Sequence, residues 1–141
     1  MKFSDFESDH WIENQKFYDT CLIPFTGLSG LESPPETVQA LERLRDFMEW
    51  VETPFKGRIV TYPAIQYATE DYKGMINEIC RKVKSFNFQH VVVISADIAL
   101  QADEIYESDL VLSLSMFPSS QEVENRSVIA MKIQEMWQRS T

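Results

Sequence analysis

The sequence has few of the residues from which most metal and redox sites are built. Its 141 residues include two histidines and two cysteines, namely His10, His90, Cys21 and Cys80. Neither histidine has a second histidine or a carboxylate at metal-ligand spacing, and no C-x-x-C pair occurs. Both cysteines lie in apolar segments, where a free cysteine behaves as a small hydrophobic side chain. The sequence therefore predicts no metal site and no redox motif.

The glycine motifs that bind phosphate are missing as well. The chain contains four glycines, and neither the G-x-G-x-x-G fingerprint nor the P-loop pattern occurs. The segment Gly27–Gly30 has the wrong spacing, and Pro34 and Pro35 remove backbone N–H donors at the start of the next helix. A receiver domain needs an acidic pair after its first strand, where Pro24 and Phe25 stand here. The sequence thus predicts no cofactor.

The chain is acidic and has no long apolar run. Residues 1–50 hold four basic and ten acidic side chains, residues 51–90 six and four, and residues 91–141 three and eight, for a net charge of −9. Such a surface repels nucleic-acid phosphates and anionic lipid headgroups. The basic cluster Arg81, Lys82 and Lys84 falls where a helix is predicted to end, and it complements the helix dipole. We expect a cytoplasmic protein that binds neither nucleic acid nor membranes.

Four apolar segments alternate with amphipathic segments, which predicts an α/β fold. The predicted strands are Tyr18–Phe25, Arg58–Tyr62, Gln89–Ala96 and Asp109–Ser115. The unbroken Val and Ile run of the third strand indicates burial on both faces. Alternation of this kind predicts a parallel sheet between two helical layers, with right-handed crossovers. We expect a three-layer α-β-α sandwich, Rossmann-like or flavodoxin-like, with about four parallel strands in the order 2-1-3-4.

Two capping boxes predict where helices begin. Ser33 and Glu36 have the spacing of an N-cap and its reciprocal partner, and Pro34 suits the first helical position. The helix that they start is predicted to end near residue 51. Ser119 and Glu122 repeat the spacing and predict the start of the last helix.

The segments between these elements are assigned from local signals. Ser8–Gln15 predicts a short helix, and Thr69 predicts the cap of a helix that ends near Phe86. Ala64–Ala68 is predicted to be a loop. Asp97–Glu107 is predicted to be a short helix or a turn, with Asp97 as a capping or turn residue.

Aromatic side chains are concentrated at the N-terminus of the chain, at Phe3, Phe6, Trp11, Phe17 and Tyr18. We expect one domain over residues 1–141, in which the helical segment 1–17 packs on the sheet through these side chains. The alternative is an exposed aromatic patch that recruits a partner. A homodimer through one sheet edge or helix face is a third possibility.

The predicted topology places one candidate crevice for a ligand. In an open parallel sheet, ligands bind beyond the carboxyl ends of the strands, where the strand order reverses. That point lies between the first and third predicted strands, at the loops Pro24–Glu32 and Ser95–Ala99. Tyr62, Gln66 and Tyr67 are predicted to close one side. The candidate crevice residues are Asp19, Thr26, Ser29, Gly30, Tyr62, Gln66, Tyr67, Ser95, Asp97 and Ser113.

Two stretches resemble a known family. Lys16–Phe25, which reads KFYDTCLIPF, and Phe55–Tyr67, which reads FKGRIVTYPAIQY, resemble the uncharacterised YpiF-like family of Bacillus-type bacteria. The resemblance implies a cytosolic bacterial protein of unknown function and provides no catalytic residues. The segment Tyr62–Tyr67 is also similar to creatininase-like amidohydrolases, which place Glu, His and Asp metal ligands after the first strand. Here Phe25–Gly30 contains no histidine, so this likeness implies a shared scaffold without the metal chemistry.

Two functions remain open from the sequence. The first is a non-catalytic binding, regulatory or assembly protein, with an unidentified protein partner or small molecule as its ligand. The alternative is a small enzyme, a hydrolase or transferase, that acts on a polar metabolite at the carboxyl ends of the strands. Such an enzyme would use Asp19, Ser95 or Asp97.

Overall fold

The sheet is parallel throughout and has the predicted strand order. The computed structural model describes residues 1–139, and its strands are β1 Thr20–Leu28, β2 Ile59–Thr61, β3 Ile65–Tyr67, β4 His90–Ser95 and β5 Leu110–Ser113. They are arranged in the order β2-β1-β4-β5, and β3 pairs with β1. Because β4 and β5 are the third and fourth predicted strands, the predicted order 2-1-3-4 is confirmed.

Helices cover both faces of the sheet. The helices are α1 Ser8–Asn14, α2 Pro34–Glu52, α3 Tyr72–Phe86 and α4 Glu122–Arg139. Buried side chains of α2 and α4 form one apolar cluster with one face of the strands. Those of α3 form a second cluster on the other face, to which Trp11 of α1 adds its ring. The three-layer α-β-α sandwich is confirmed.

Side-chain alternation along the central strands divides the core into these two clusters. In β1, Leu22 faces α2 and α4, whereas Cys21 and Ile23 face α3. Every residue of β4 is buried, so this strand lies at the centre of both clusters. The prediction that its Val and Ile run is covered on both faces is confirmed.

The first capping box forms as its spacing predicts. The Ser33 Oγ accepts a hydrogen bond from the Glu36 backbone N–H at 3.3 Å, and the Glu36 carboxylate accepts one from the Ser33 N–H at 3.0 Å. Pro34 occupies the first helical position of α2. A cap of this kind typically stabilises a helix by about 1 kcal/mol.

The other two predicted caps are wrong. Helix α3 begins at Tyr72 with Asp71 at its N-cap position, so Thr69 lies too early in the chain to cap it. Helix α4 begins at Glu122, two residues later than a cap at Ser119 requires. The Gln121 N–H donates to the Pro118 carbonyl at 3.2 Å. The residues of this turn lie where the first turn of the helix was predicted, so the helix begins after them.

The strand boundaries also differ from the prediction. Strand β1 continues past Phe25 to Leu28, because β3 pairs with its second half where Ala64–Ala68 was predicted to be a loop. The register pairs Phe25 with Ile65 and Leu28 with Tyr67. The segment between β4 and β5 is formed by turns rather than by a helix, within the alternatives predicted for Asp97–Glu107.

Candidate functional site

A side chain packs against the backbone at the predicted crevice between β1 and β4. Gly27 of β1 has a φ angle of +77°, a conformation that glycine adopts without steric cost. A Cβ atom at this position would lie 2.3 Å from the Ile98 Cγ1. Ile98, which follows β4, therefore packs directly on the Gly27 backbone and occupies the point where the strand order reverses.

The loop after β1 binds its own carboxylate. The backbone N–H groups of Ser29 and Gly30 donate to the Glu32 carboxylate at 2.8 and 2.9 Å, and the Ser29 hydroxyl donates to it at 2.9 Å. These hydrogen bonds lower the pKa of Glu32 to about 2, since they stabilise its charged form. The donors that a ligand anion would need in this loop are already used by the protein.

The two candidate serines hold the loop that follows β4. The Ser95 Oγ accepts a hydrogen bond from the Ile98 N–H at 3.3 Å. The Ser113 Oγ accepts one from the Leu100 N–H at 2.9 Å and donates to the Leu100 carbonyl at 3.1 Å. Both serines are fully buried, and their hydrogen bonds fix the segment that carries Ile98.

The two candidate aspartates each bind an arginine, at opposite ends of the sheet. Asp97 accepts two hydrogen bonds from Arg43 of α2, both at 2.8 Å. Asp19 accepts two from Arg58, both at 2.9 Å. Because Asp19 precedes β1, it lies at the amino ends of the strands and is separated from the other candidate residues.

Three candidate residues meet in a cavity beside the predicted crevice, between α2 and strands β2 and β3. Thr26, Tyr62 and Gln66 line this cavity, whose volume is about 240 Å³. The Thr26 hydroxyl donates to the Gln66 Oε1 at 2.8 Å. We call this cavity the edge pocket; its other lining residues are Lys2, Phe3, Pro24, Leu41, Leu44, Arg45, Met48, Thr61, Pro63 and Ala64.

The two candidate tyrosines have different environments. Tyr62 is partly buried and packs edge-to-face against Phe3 and Phe88, with ring centroids 6.4 and 5.3 Å apart. Burial raises the pKa of Tyr62, so its hydroxyl remains protonated and able to donate a hydrogen bond. Tyr67 is 54% exposed at the end of β3 and lies outside the residues that line the edge pocket.

The sequence did not predict the roles of Glu32 and Ile98 beside the crevice, or of Leu41 in the wall of the edge pocket. Glu32 stands three residues after Ser29, a spacing that in a glycine-containing loop allows a side chain to return to the backbone N–H groups. Leu41 of α2 is 38% exposed and lines the edge pocket. Nothing in the sequence indicates that Ile98 packs on Gly27, because that contact joins two loops.

Polar groups in the interior are paired. Among residues 1–139, every buried side-chain nitrogen or oxygen has a hydrogen-bond partner. The same part of the chain contains no group of three His, Cys, Asp or Glu side chains that could hold a metal ion. None of its helices combines the length and apolarity needed to cross a membrane.

Comparison with known proteins gives one match. Residues 9–139 match the model of a family described as "Protein of unknown function (DUF2487)". No curated protein and no solved structure matches the chain.

Proposed function

The chain belongs to the DUF2487 family of proteins of unknown function, and we propose that it is a non-catalytic binding protein with a regulatory or assembly role. Its ligand occupies the edge pocket rather than the crevice between β1 and β4. The observation that carries this proposal is the contact of Ile98 with Gly27, which places a side chain where ligands of parallel sheets usually bind.

The polar groups around the crevice support binding over catalysis. Ser95, Ser113 and Asp97 each make hydrogen bonds that position the loop after β4. A nucleophile or general base needs a neighbouring group that activates it, and Asp97 is instead bound at both oxygens by Arg43. These side chains act as structural groups in the fold.

The edge pocket suits a small, largely apolar ligand that carries one hydrogen-bonding group. Its walls include Pro24, Leu41, Leu44 and Met48, whose burial by a ligand is favourable by about 25 cal/mol per Å² of apolar surface. The Gln66 amide accepts from Thr26 and also carries two N–H donors. An apolar cavity with a few polar groups is the usual form of a small-molecule site.

A substitution in the pocket wall tests this proposal. Leu41→Arg introduces a charge into the edge pocket on a residue that is already partly exposed, so folding should be preserved. Nile red, an uncharged apolar dye, should bind the wild-type protein at one saturable site and show at least about tenfold weaker binding to the variant. Dye fluorescence measures the binding, and circular dichroism checks the fold.

The matched control is Val38→Arg. Val38 lies one turn earlier on α2 and is 55% exposed, but it does not line the pocket. The dye should bind this variant as it binds the wild-type protein. Equal binding to wild-type protein and to Leu41→Arg would contradict the proposal, and so would hydrolysis of a simple ester that Ser95→Ala abolishes.

Proposals on the source, the location and the domain organisation of the protein rest on the sequence resemblance and on the composition of the chain. We propose that the protein is YpiF-like and comes from a Bacillus-type bacterium, where it acts in the cytoplasm. We also propose that residues 1–141 form one domain on which the segment 1–17 packs. The rings of Phe6, Trp11 and Tyr18 support this packing, since they adjoin the cluster under α3.

A further inference from the structure

The most exposed phenylalanine of the described chain lies on a surface that the proposed function does not use. Phe86, at the end of α3, is 91% exposed. It lines a shallow cavity of about 350 Å³ at the amino ends of the strands, together with Lys16 and Lys84. Phe17, beside Lys16, is 56% exposed.

One cation lies over the Phe17 ring, and two lysines line the same cavity as Phe86. The Lys16 ammonium lies 5.2 Å from the centroid of the Phe17 ring. Arg81 is one helical turn before Lys84 and therefore shares its face of α3. We call Lys16, Phe17, Arg81, Lys84 and Phe86 the amino-edge patch. Residues 51–90 are the only one of the three stretches counted above in which basic side chains outnumber acidic ones.

The carboxylates near this patch are already neutralised. Asp19, the one acidic residue that lines the cavity, is bound by Arg58 at 2.9 Å. Asp109 pairs with Lys84 at 3.4 Å. Lys16 and Arg81 form no ion pair with another residue between 1 and 139. The patch thus offers unpaired positive charge on a protein whose net charge is −9.

We propose that the amino-edge patch is a docking surface for an acidic segment of a partner protein. An apolar side chain of that segment packs on Phe86 and Phe17, and its carboxylates face Lys16 and Arg81. Phenylalanine and arginine are enriched in protein interfaces, and complementary charge selects the partner. This surface is separate from the edge pocket, so either proposal can fail alone.

The probe is a short fluorescein-labelled peptide in which aspartate and glutamate flank a central Phe-Leu pair. Fluorescence anisotropy should show saturable binding that weakens at least about tenfold when the salt concentration rises from about 0.05 to 0.5 M, because salt screens exposed charges. A peptide with lysine in place of every acidic residue should not bind. Failure of the acidic peptide to bind would overturn the proposal.

Two variants locate the site. Phe86→Ser should weaken peptide binding at least about tenfold without changing the melting temperature, because the ring is almost fully exposed. Tyr106→Ser is the matched control, since Tyr106 is 71% exposed but lies in the segment before β5. Equal effects of the two substitutions would overturn the proposal. Binding to phosphatidylglycerol vesicles that depends on Phe86, in place of peptide binding, would do the same.

Discussion

At the residue scale, Gly27 allows Ile98 to pack against the backbone of β1, because glycine has no Cβ atom. Alanine at this position is disfavoured by the φ angle of +77° and by the 2.3 Å approach of its Cβ to Ile98. We expect Gly27→Ala to lower the free energy of unfolding by about 2–4 kcal/mol. Urea denaturation followed by circular dichroism measures the change.

The substitution Gly30→Ala distinguishes backbone strain from the steric clash with Ile98. Its φ angle is +93°, and a Cβ there meets no atom within 4 Å, so Gly30→Ala adds backbone strain alone. The expected loss is about 1–2 kcal/mol. If Gly27→Ala were no worse than Gly30→Ala, Ile98 would not be packed on Gly27, and the crevice would be open to a ligand.

Asn77 of α3 holds the turns between β4 and β5. Its side-chain amide donates to the Glu104 carbonyl at 2.9 Å and accepts from the Glu107 N–H at 3.0 Å. Asn77→Ala leaves both backbone groups without this partner, and we expect a loss of about 2–3 kcal/mol in the free energy of unfolding. Thermal or urea denaturation measures it.

Asn14→Ala is the control for this substitution. The Asn14 amide donates to the His10 carbonyl at 3.0 Å in an exposed position, where water replaces the lost hydrogen bond. Its cost should stay below about 1 kcal/mol. Similar losses for the two variants would show that Asn77 does not fix the turns.

At the scale of elements, the start of α2 depends on its capping box. Ser33→Ala removes the side-chain acceptor for the Glu36 N–H, so we expect a loss of about 1 kcal/mol. Ser119→Ala has the same chemistry at a predicted cap that α4 does not use, and its effect should lie within about 0.5 kcal/mol. Equal losses in urea denaturation would contradict this account of the two helix starts.

The elements that sequence could predict are those fixed by local chemistry. Ser33 and Glu36 contact each other within one turn, and the unbroken Val and Ile run of β4 itself indicates burial on both faces. Strand β3 has no such signal, because Ile65–Tyr67 becomes a strand only by pairing with a distant part of β1. The edge pocket was missed for the same reason, since its walls come from α2 and from the β2–β3 connection.

At the scale of the whole molecule, the residues predicted for one crevice lie in several parts of the structure. The topology rule locates the crevice between β1 and β4, yet it does not account for Ile98, which packs on Gly27 there. Thr26 and Gln66 of the predicted set line the neighbouring edge pocket instead. The proposed binding site lies beside the point where the strand order reverses, and it leaves the amino-edge patch free for a second partner.

Both thiols should report global unfolding. Cys21 and Cys80 are fully buried, and burial raises the pKa of both thiols, that of Cys80 to about 12. Since the thiolate is the reactive form, Ellman's reagent at about pH 8 should modify neither thiol in the native protein and both in urea. A Thr69→Cys variant adds an exposed thiol as a positive control. Rapid native labelling of either natural cysteine would contradict the core assignment.

The same pKa shifts predict how the free energy of unfolding changes with pH. In the unfolded chain the thiols ionise near their ordinary pKa of 9.0, whereas in the folded protein they remain protonated. The free energy of unfolding should therefore fall as pH rises above about 9, because ionisation stabilises the unfolded chain. Urea denaturation at about pH 8 and 10 measures this slope for the wild type and for the double variant Cys21→Ala, Cys80→Ala. The double variant should lose part of the slope, and an unchanged slope would show that the thiols do not contribute to it.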